Sequence, residues 1–467
     1  MRSKIVTLTL ALVLGAATVH ADGLKIPEYR TVTLDNGLTI LLLEQPTVPL
    51  VSLELWADAG AWLDPTGKEG LAYLTSEALR KGAGDRNAQE FAEATDFLGA
   101  QFGTSTNTDR LRVTMNLRSG DLDAGLALFA DASLRPQFDA AEIQKLAEQL
   151  GESVIQAKDN PRNVLGDYNA AFLYGAHPYA NPVNGTETSL PTITADDVRG
   201  FYRDFVGADR AILAVAGDIQ PDALEAKLRE VFGAMPKAQA PLPALPDPKP
   251  SDSQRVLLVN KNDTPQTWFL IGGLGPAFDH DDYAAAEIVR TVFGGRFTSW
   301  LNTKLRVETG LTYGARYNFS PRRVAGPAGI STFTATETTK DAFDLALEQL
   351  ERLHAEGIGA EDLASAKAYF KGQTPYDFET ASNMANAIAE LQFYGVDRSR
   401  LDTLFEQVDA VDEAACKAAI AKYFGKENLV ITAIGVADEV RDILSAYGKL
   451  TERENSDPGF SAPVGAP

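Results

Sequence analysis

A proline-rich stretch divides this sequence into two halves of similar length. Six prolines lie between Pro236 and Pro250. Because proline lacks a backbone N–H and its ring clashes with a preceding helical turn, such a stretch cannot form a helix interior or a central strand. We therefore predict an extended linker over residues 236–252, between domains at 22–235 and 253–450. A chain of 467 residues is also too long for one ordinary core.

The two halves repeat the same order of elements. Each opens with two strand-like segments, at 31–43 and 50–57 in the first half and at 255–260 and 267–274 in the second. Near the end of each half a helix precedes a strand, at 211–216 and again about 218 residues later at 429–434. A repeat of this length indicates a duplicated domain.

Paired strands and amphipathic helices indicate an α+β fold. Residues 100–107 and 111–117 have the pattern of an antiparallel hairpin. Helices are predicted at 122–133, 140–157 and 162–174, and capping pairs at Asn87/Glu90 and Thr194/Asp197. We expect two homologous halves, each a mostly antiparallel sheet with helices packed on it. The polar, Pro- and Gly-containing tail at 451–467 is predicted to be disordered.

The N-terminus has the pattern of a secretory signal peptide. Arg2 and Lys4 precede an apolar run from Ile5 to Ala17, and Val19-His20-Ala21 provides a small-x-small cleavage site. The run is too short to span a bilayer, and no later stretch reaches the roughly 18 apolar residues that a membrane helix needs. Residues 1–21 are therefore predicted to be removed, leaving an exported, periplasmic chain without a membrane span. The single cysteine, Cys416, excludes an internal disulfide.

Charge and histidine content restrict the chemistry. With 43 basic and 64 acidic residues the net charge is −21, so nucleic acid is a poor candidate partner. Four histidines are present, and His20 lies in the predicted signal peptide. The remaining three, His177, His280 and His354, are far apart in sequence, and no two of them fall within one helical turn. A zinc site built on paired histidines is therefore not expected.

Residues 70–82 carry the first part of a resemblance to the M16 (insulinase or pitrilysin) metallopeptidase family. Active members place an inverted zinc motif, His-x-x-Glu-His, on the corresponding helix. This chain has Tyr73 and Glu77 where the resemblance would put the two histidine ligands, and Ser76 where it would put the catalytic glutamate. The family's third ligand aligns with Ser153 or Glu152. The resemblance thus implies a degenerate motif and no zinc in this chain.

Two further segments complete the resemblance. Residues 175–186 are similar to a structural loop of the family, in which we expect His177 to cap its surroundings rather than to act in catalysis. Residues 293–313 are similar to the segment from which an arginine and a tyrosine reach the substrate, and Arg306 and Tyr313 keep that spacing, with Gly310 ending the helix between them. A guanidinium and a phenol can both donate hydrogen bonds to the oxyanion of peptide hydrolysis. The alternative is that Arg306 is a solvated helix charge and that Tyr313 begins a strand and packs against the core.

With a degenerate zinc motif and a matching Arg/Tyr pair, the chain resembles the non-catalytic subunit of a two-chain M16 peptidase. The resemblance implies a homologous partner that carries His-x-x-Glu-His and the zinc, and peptide substrates that add as a strand to a sheet edge. Two alternatives remain open at the level of sequence. One is a non-proteolytic scaffold or peptide-binding protein of the same fold, and the other is a hydrolase with an unrecognised site.

Overall fold

The structure is a computed structural model that describes Leu24 and residues 26–462. The predicted signal peptide, residues 1–21, lies outside the described residues. The first half contains β1 (Arg30–Thr33), β2 (Thr39–Glu44), β3 (Leu50–Ala57), α1 (Leu71–Ala78), β4 (Gly82–Ala83), β5 (Arg86–Asn87), α2 (Ala88–Phe97), β6 (Gln101–Thr106), β7 (Leu111–Arg118), α3 (Leu122–Leu134), α4 (Ala140–Ala157), α5 (Pro161–Tyr174), α6 (Ala195–Phe205), β8 (Ala211–Gly217) and α7 (Pro221–Phe232).

The second half begins after the proline-rich linker. It contains β9 (Arg255–Asn260), β10 (Gln266–Leu274), α8 (Tyr283–Arg290), α9 (Trp300–Asn302), β11 (Arg316–Phe319), β12 (Pro327–Ala335), α10 (Thr339–Glu356), α11 (Ala360–Gln373), α12 (Ala381–Tyr394), α13 (Ser399–Asp402), α14 (Leu404–Ala410), α15 (Glu413–Tyr423), β13 (Val430–Gly435), α16 (Ala437–Ser445) and β14 (Lys449–Glu454). Two π-helical turns, Thr291–Gly295 and Thr303–Glu308, continue α8 and α9.

Each half forms a six-stranded sheet with the same spatial order. The first sheet runs β1-β2-β8-β3-β7-β6 and the second runs β14-β9-β13-β10-β12-β11. Most neighbouring strands are antiparallel, and the parallel pairs are β2–β8, β9–β13 and β9–β14. The mostly antiparallel α+β architecture with two homologous halves is therefore confirmed. The two sheets differ only in the outer strand next to β2 or β9. That strand is β1, near the N-terminal end of the chain, in the first sheet and β14, near the C-terminal end, in the second.

Local sequence signals account for most boundaries. Asn87 and Glu90 form a reciprocal capping box at α2, and Thr194 and Asp197 form another at α6. The predicted continuous strand at 31–43 is wrong. A turn at Leu34–Leu38, with Gly37 at φ +98°, separates β1 from β2 and folds them into a hairpin. Asn36-Gly37 is a recognised hairpin turn signal.

The strands near the centre of the first sheet are buried on both faces. In β2, Ile40 and Leu42 belong to the core of the first half, whereas Leu41 and Leu43 face the opposite side. There they pack with Ile388 of α12, a helix of the second half. Successive side chains of a strand alternate between the two faces of the sheet. Because both faces are buried here, the sequence of β2 is an uninterrupted apolar run.

The second sheet is covered in the reciprocal way. In β9, Val256 and Leu258 belong to the core of the second half, and Leu257 and Val259 join the core of the first. That side of the second sheet is covered by α5, which belongs to the first half. Each half thus lends one helix to the sheet of the other, and we call α5 and α12 the exchanged helices. The halves are interlocked rather than independently packed.

The linker at 236–252 contains no helix or strand, as its prolines predict. It is attached to the first half by hydrogen bonds. Ala208 N–H donates to the carbonyl of Pro236 at 2.9 Å, and Ala238 N–H donates to the Asp209 carboxylate at 2.8 Å. The linker is therefore an ordered extended segment that follows the surface of the first half.

The predicted disorder of the tail at 451–467 is wrong over its described part. β14 extends the second sheet beside β9, so the second domain does not end at residue 450. The Arg453 guanidinium then donates to the carbonyls of Asp457, Gly459 and Ser461, which folds the following residues into a compact turn. The sequence did not predict this order because β14 is polar. An edge strand buries little apolar surface, so it can form from polar residues.

Gly294 and Gly295 lie in the π-helical turn that continues α8. A Cβ on Gly294 would come within 2.2 Å of the Tyr317 backbone nitrogen, so glycine permits close packing of this turn on β11. Cys416 is buried, and burial raises the pKa of its thiol to about 11. Within the described residues, no helix is long and apolar enough to cross a membrane.

Candidate functional site

Buried contacts fix the position of α1, the helix with the degenerate motif. The Asp64 carboxylate accepts hydrogen bonds from the backbone N–H groups of Gly70 and Ala72, both at 2.8 Å. Burial raises the pKa of Asp64 well above its usual value, although these N–H groups oppose the increase. Gly70 has φ +92°, and a Cβ there would lie 2.7 Å from the Cα of Gly185. The helix start is therefore packed backbone to backbone against the 175–186 loop.

Two of the three motif side chains on α1 are hydrogen-bonded within the protein. Ser76 is buried, and its hydroxyl donates to the carbonyl of Tyr73 at 3.0 Å. The Glu77 carboxylate accepts from the Thr104 hydroxyl of β6 at 3.0 Å. Burial, together with the nearby Glu77 carboxylate, raises the pKa of Tyr73, so its phenol stays protonated at neutral pH. These contacts tie α1 to β6.

Ser153 and Glu152 are the two candidates for the third motif position, and both are exposed on α4. Ser153 and Tyr73 line one small cavity of about 140 Å³, together with Asp167 and Phe460, whereas Glu152 does not line it. A protonated phenol and an alcohol are poor zinc ligands, and the described residues contain no cluster of three His, Cys, Asp or Glu side chains able to hold a metal. The residues present do not fit a zinc ion.

His177 is a structural residue, as predicted. Its Nδ1 accepts a hydrogen bond from the Tyr179 N–H at 3.0 Å. Its Nε2 lies 2.8 Å from the carbonyl oxygen of Pro246 in the linker. A neutral imidazole protonated at Nε2 satisfies both contacts. His177 therefore caps its own loop and holds the linker.

Arg306 lies in the π-helical turn that follows α9, and Gly310, at φ +69°, ends the turn as predicted. The Arg306 guanidinium lies over the Phe297 ring, 4.8 Å from the ring centroid. The structure gives Arg306 no ion pair or side-chain hydrogen bond to any described residue. Phe297 and Val307, its neighbours, are exposed apolar side chains. The charge is therefore presented to solvent on an apolar support.

Tyr313 is 79% exposed, so the alternative in which it packs into the core is wrong. Its ring stacks on Phe333 with centroids 6.5 Å apart. Together with Trp268 and Arg316 it lines a cavity of about 370 Å³ beside α5. Arg306 does not line this cavity, and the chain does not bring the two side chains into contact. Tyr313 and Tyr73 line different cavities, and the exchanged helix α5 contributes to both.

Two charged residues that the sequence did not single out lie between these cavities. Asp167 of α5 and Arg322, in the segment between β11 and β12, line a third cavity of about 340 Å³. Asp167 also lines the Tyr73 cavity. Nothing in the local pattern marks either residue, because they come from different halves and meet only through the helix exchange.

A buried carboxylate links the halves nearby. Asp109 accepts from the Tyr179 hydroxyl at 2.5 Å, from the Tyr394 hydroxyl at 3.0 Å and from the Arg323 N–H at 3.0 Å. The Arg323 guanidinium pairs in turn with Asp58 at 2.7 Å. Tyr394 lies on α12 and Arg323 in the second half, so this network secures one exchanged helix.

The fold and the motif helix define a duplicated α+β protein of metallopeptidase architecture whose described residues offer no zinc ligand set. Comparison with protein families agrees with this description. The profile for insulinase (peptidase family M16) matches residues 39–187, and the profile named peptidase M16 inactive domain matches residues 192–370. The chain therefore belongs to the M16 peptidase family.

Some relatives of this chain are named as zinc proteases and others as non-peptidase homologs. An uncharacterized zinc protease YmxG of Bacillus subtilis is 24% identical over 81% of this chain and 92% of its own. A non-peptidase homolog YmxG of Helicobacter pylori is 23% identical over 87% of this chain and 92% of its own.

Solved structures have the same fold. A peptidase M16 inactive domain from Pseudomonas fluorescens superimposes with a TM-score of 0.83, at 26% identity, over 87% of this chain and 98% of that one. A Helicobacter pylori protease gives a TM-score of 0.80 over 88% of this chain and 100% of that one, and its 21% identity speaks for the fold alone.

Proposed function

We propose that this chain is the zinc-less subunit of a periplasmic, heterodimeric M16 metallopeptidase. In this proposal a homologous partner with the His-x-x-Glu-His motif holds the zinc, and this chain supplies Arg306 and Tyr313 to the shared chamber. The observation that carries the proposal is a contrast. The Ser76 and Glu77 side chains on α1 are hydrogen-bonded within the protein, whereas Arg306 and Tyr313 are presented outward without polar partners among the described residues.

The chemistry of the pair suits stabilisation of an oxyanion. Attack of water on a peptide carbonyl develops negative charge on its oxygen, and zinc in the partner would activate that water. The Tyr313 hydroxyl can donate a hydrogen bond to the oxygen, and the Arg306 guanidinium can hold a backbone carbonyl of the peptide. Packing of Arg306 on Phe297 restricts the guanidinium before substrate arrives.

A free sheet edge beside the motif helix supports peptide binding. β6 is the outer strand of the first sheet, and its far side pairs with no described strand. Thr104 and Thr106 of β6 hydrogen-bond to Glu77 and to the Ala72 carbonyl on α1. An extended peptide could therefore add to β6 alongside α1 through main-chain hydrogen bonds.

A second function is favoured by one observation. The Helicobacter pylori relative carries the name non-peptidase homolog, and the Pseudomonas fluorescens structure is of an inactive domain. On this alternative the chain is a peptide-binding or scaffold protein, and Arg306 and Tyr313 contribute nothing to turnover.

The two functions are separated by reconstitution. The purified chain is mixed with an M16 protein that carries His-x-x-Glu-His, sought first in the adjacent gene, and hydrolysis of unfolded peptides is measured with each chain alone and together. The proposal expects a 1:1 complex that is more active than either chain, and activity that chelators abolish. A complex whose activity equals that of the zinc-bearing chain alone supports the scaffold. Zinc-dependent hydrolysis by this chain alone contradicts both functions.

A further inference from the structure

A polar cavity lies between the two halves, separate from the motif helix and from Arg306. Its walls are the exchanged helix α5, strands β10 and β12, and the segment between β11 and β12. Its volume of about 340 Å³ is within the range of small-ligand sites. The polar side chains that line it include Asp167, Asn181, Asn318, Ser320, Arg322 and Ser331.

Arg322, which lines this cavity, also carries a buried donor without a partner. Its Nη1 atom is buried and has no hydrogen-bond partner in the described part of the chain. The guanidinium is held by the rings of Tyr174 and Tyr179, whose centroids lie 5.7 and 5.1 Å from its central carbon. The Arg322 backbone is also fixed, since its carbonyl accepts from the Phe278 N–H at 2.8 Å. Buried guanidinium donors without acceptors are rare because their desolvation is not compensated.

Asp167 supplies the opposite charge from the other half. No hydrogen bond or ion pair joins its carboxylate to another described residue. Burial raises the pKa of Asp167 to about 6, and the Arg322 guanidinium partly offsets the increase. The two side chains thus influence each other across the cavity, but they are not in ion-pair contact. The cavity therefore has a cation on one wall and an anion on another, without a direct ion pair between them.

We propose that this cavity binds a small zwitterion with a free amine and a free carboxylate, namely an α-amino acid or a dipeptide. The ligand's ammonium group would donate to the Asp167 carboxylate, and its carboxylate would accept from the Arg322 guanidinium. A ligand with only one charge satisfies only one wall, whereas a zwitterion satisfies both. Leu270 and Val183 give the remaining wall an apolar surface that suits an aliphatic side chain.

The two ligand sources differ in the separation of their charges. Consecutive Cα atoms lie about 3.8 Å apart, so the amine and carboxylate of a dipeptide are one residue further apart than those of an amino acid. The site does not depend on the proposed peptidase function, because it uses neither α1 nor the Arg306 and Tyr313 pair.

The test is isothermal titration of the full mature chain with four probes. These are L-alanine, L-alanyl-L-alanine, the N-acetylated dipeptide and the dipeptide amide. We expect one of the two free zwitterions to bind and both blocked dipeptides to bind at least about tenfold more weakly, because each lacks one charge-assisted contact. Preference between alanine and dialanine identifies the source. Equal binding of the blocked dipeptides, or no heat with either zwitterion at millimolar concentration, overturns the proposal.

Substitutions assign the binding to this cavity. Asp167→Asn and Arg322→Gln should each raise the Kd at least about tenfold. Asp247→Asn, on the exposed linker, and Arg118→Gln, at an exposed strand end, are the matched controls and should leave the Kd unchanged. Asp167→Asn should also leave the melting temperature at pH 7 the same or higher, which a purely structural carboxylate would not. If Arg322→Gln does not fold, Asp167→Asn and the blocked dipeptides still decide the question, and unchanged affinity in Asp167→Asn contradicts the proposal.

Discussion

Phe460, in the C-terminal segment, packs edge to face on Tyr168 of α5, with ring centroids 5.1 Å apart. The Phe460 side chain is only 4% exposed, and the Lys158 ammonium lies over its ring. The Tyr168 hydroxyl also donates to the Asn455 side chain at 3.2 Å. The C-terminal segment of the second half is therefore anchored on α5, a helix of the first half.

Removing the Phe460 ring should destabilise the whole protein. Phe460→Ala is expected to lower the free energy of unfolding by about 3 kcal/mol, the range of buried phenylalanine truncations. Phe97→Ala is the matched control, because Phe97 is 89% exposed and its truncation should change stability by less than about 0.5 kcal/mol. Urea denaturation followed by circular dichroism measures both. Equal stability of the two variants would mean that the anchored tail contributes nothing.

The tail also shows what the sequence could and could not predict. The duplicated halves, the linker, the hairpin β6–β7 and the helices α3, α4 and α5 follow from local periodicity and turn signals. β14 does not, because its stability comes from pairing with β9, nearly 200 residues earlier in the chain. The packing partners of Leu41 and Leu257 could not be predicted either, since a strand that is apolar on both faces does not specify which half covers each face.

The exchanged helix α12 provides a test of the interlock. Ile388→Ala should lower the free energy of unfolding by about 3 kcal/mol, because Ile388 is fully buried against the first sheet. Ile155→Ala, at an exposed position, is the control and should be close to neutral. Both transitions should be monitored by fluorescence in a background in which Trp62, Trp268 and Trp300 are replaced by Phe, so that Trp56 reports on the first sheet alone. A loss of structure confined to the second half would argue against the interlock.

The Asp109 network should be costly to break. Asp109→Ala leaves the Tyr179 and Tyr394 hydroxyls without their acceptor in a buried setting, so we expect a loss of about 3 kcal/mol. Adding Tyr394→Phe to this variant should cost less than Tyr394→Phe costs in the parent, since the hydroxyl has already lost its partner. A double-mutant cycle by chemical denaturation measures the coupling, and strict additivity would contradict it.

Asp167 should make stability depend on pH. Its pKa is raised from 3.8 to about 6 in the folded protein, so the native state holds the proton more tightly than the unfolded chain does. The contribution of Asp167 to stability therefore falls as pH rises from about 4 to about 6. Asp167→Asn should remove this dependence and become the more stable protein at pH 7, by up to about 3 kcal/mol. Stability curves of both proteins from pH 4 to pH 8 measure the difference, and parallel curves would contradict the raised pKa.

Tyr313→Phe separates a role in turnover from a role in folding. Tyr313 is mostly exposed, so the melting temperature of the free chain should not change. In the reconstituted heterodimer, turnover should fall by roughly 10²- to 10³-fold, as after loss of one oxyanion donor. Tyr376→Phe, at another exposed tyrosine, should leave turnover intact. Unchanged turnover in Tyr313→Phe would favour the scaffold function.

The candidate site was only partly accessible from sequence. The motif positions Tyr73, Ser76 and Glu77 were visible through a resemblance, since a helix with regular spacing keeps its register. That Ser153 rather than Glu152 lines a cavity with Tyr73 required the helix packing, because adjacent residues of α4 face different directions. Asp167 and Arg322 were not accessible at all, as no short-range pattern relates residues from different halves.

The helix exchange restricts how this chain can move. Swinging the halves apart about the 236–252 segment would pull α12 from the first sheet and uncover Leu41, Leu43 and Trp56. Each such side chain costs roughly 1.5–3 kcal/mol to expose, so this motion approaches the cost of unfolding. The proline-rich segment therefore cannot serve as a hinge. In the proposed heterodimer, an opening that admits a peptide would then occur at the boundary between the two chains, while this chain moves as one rigid body.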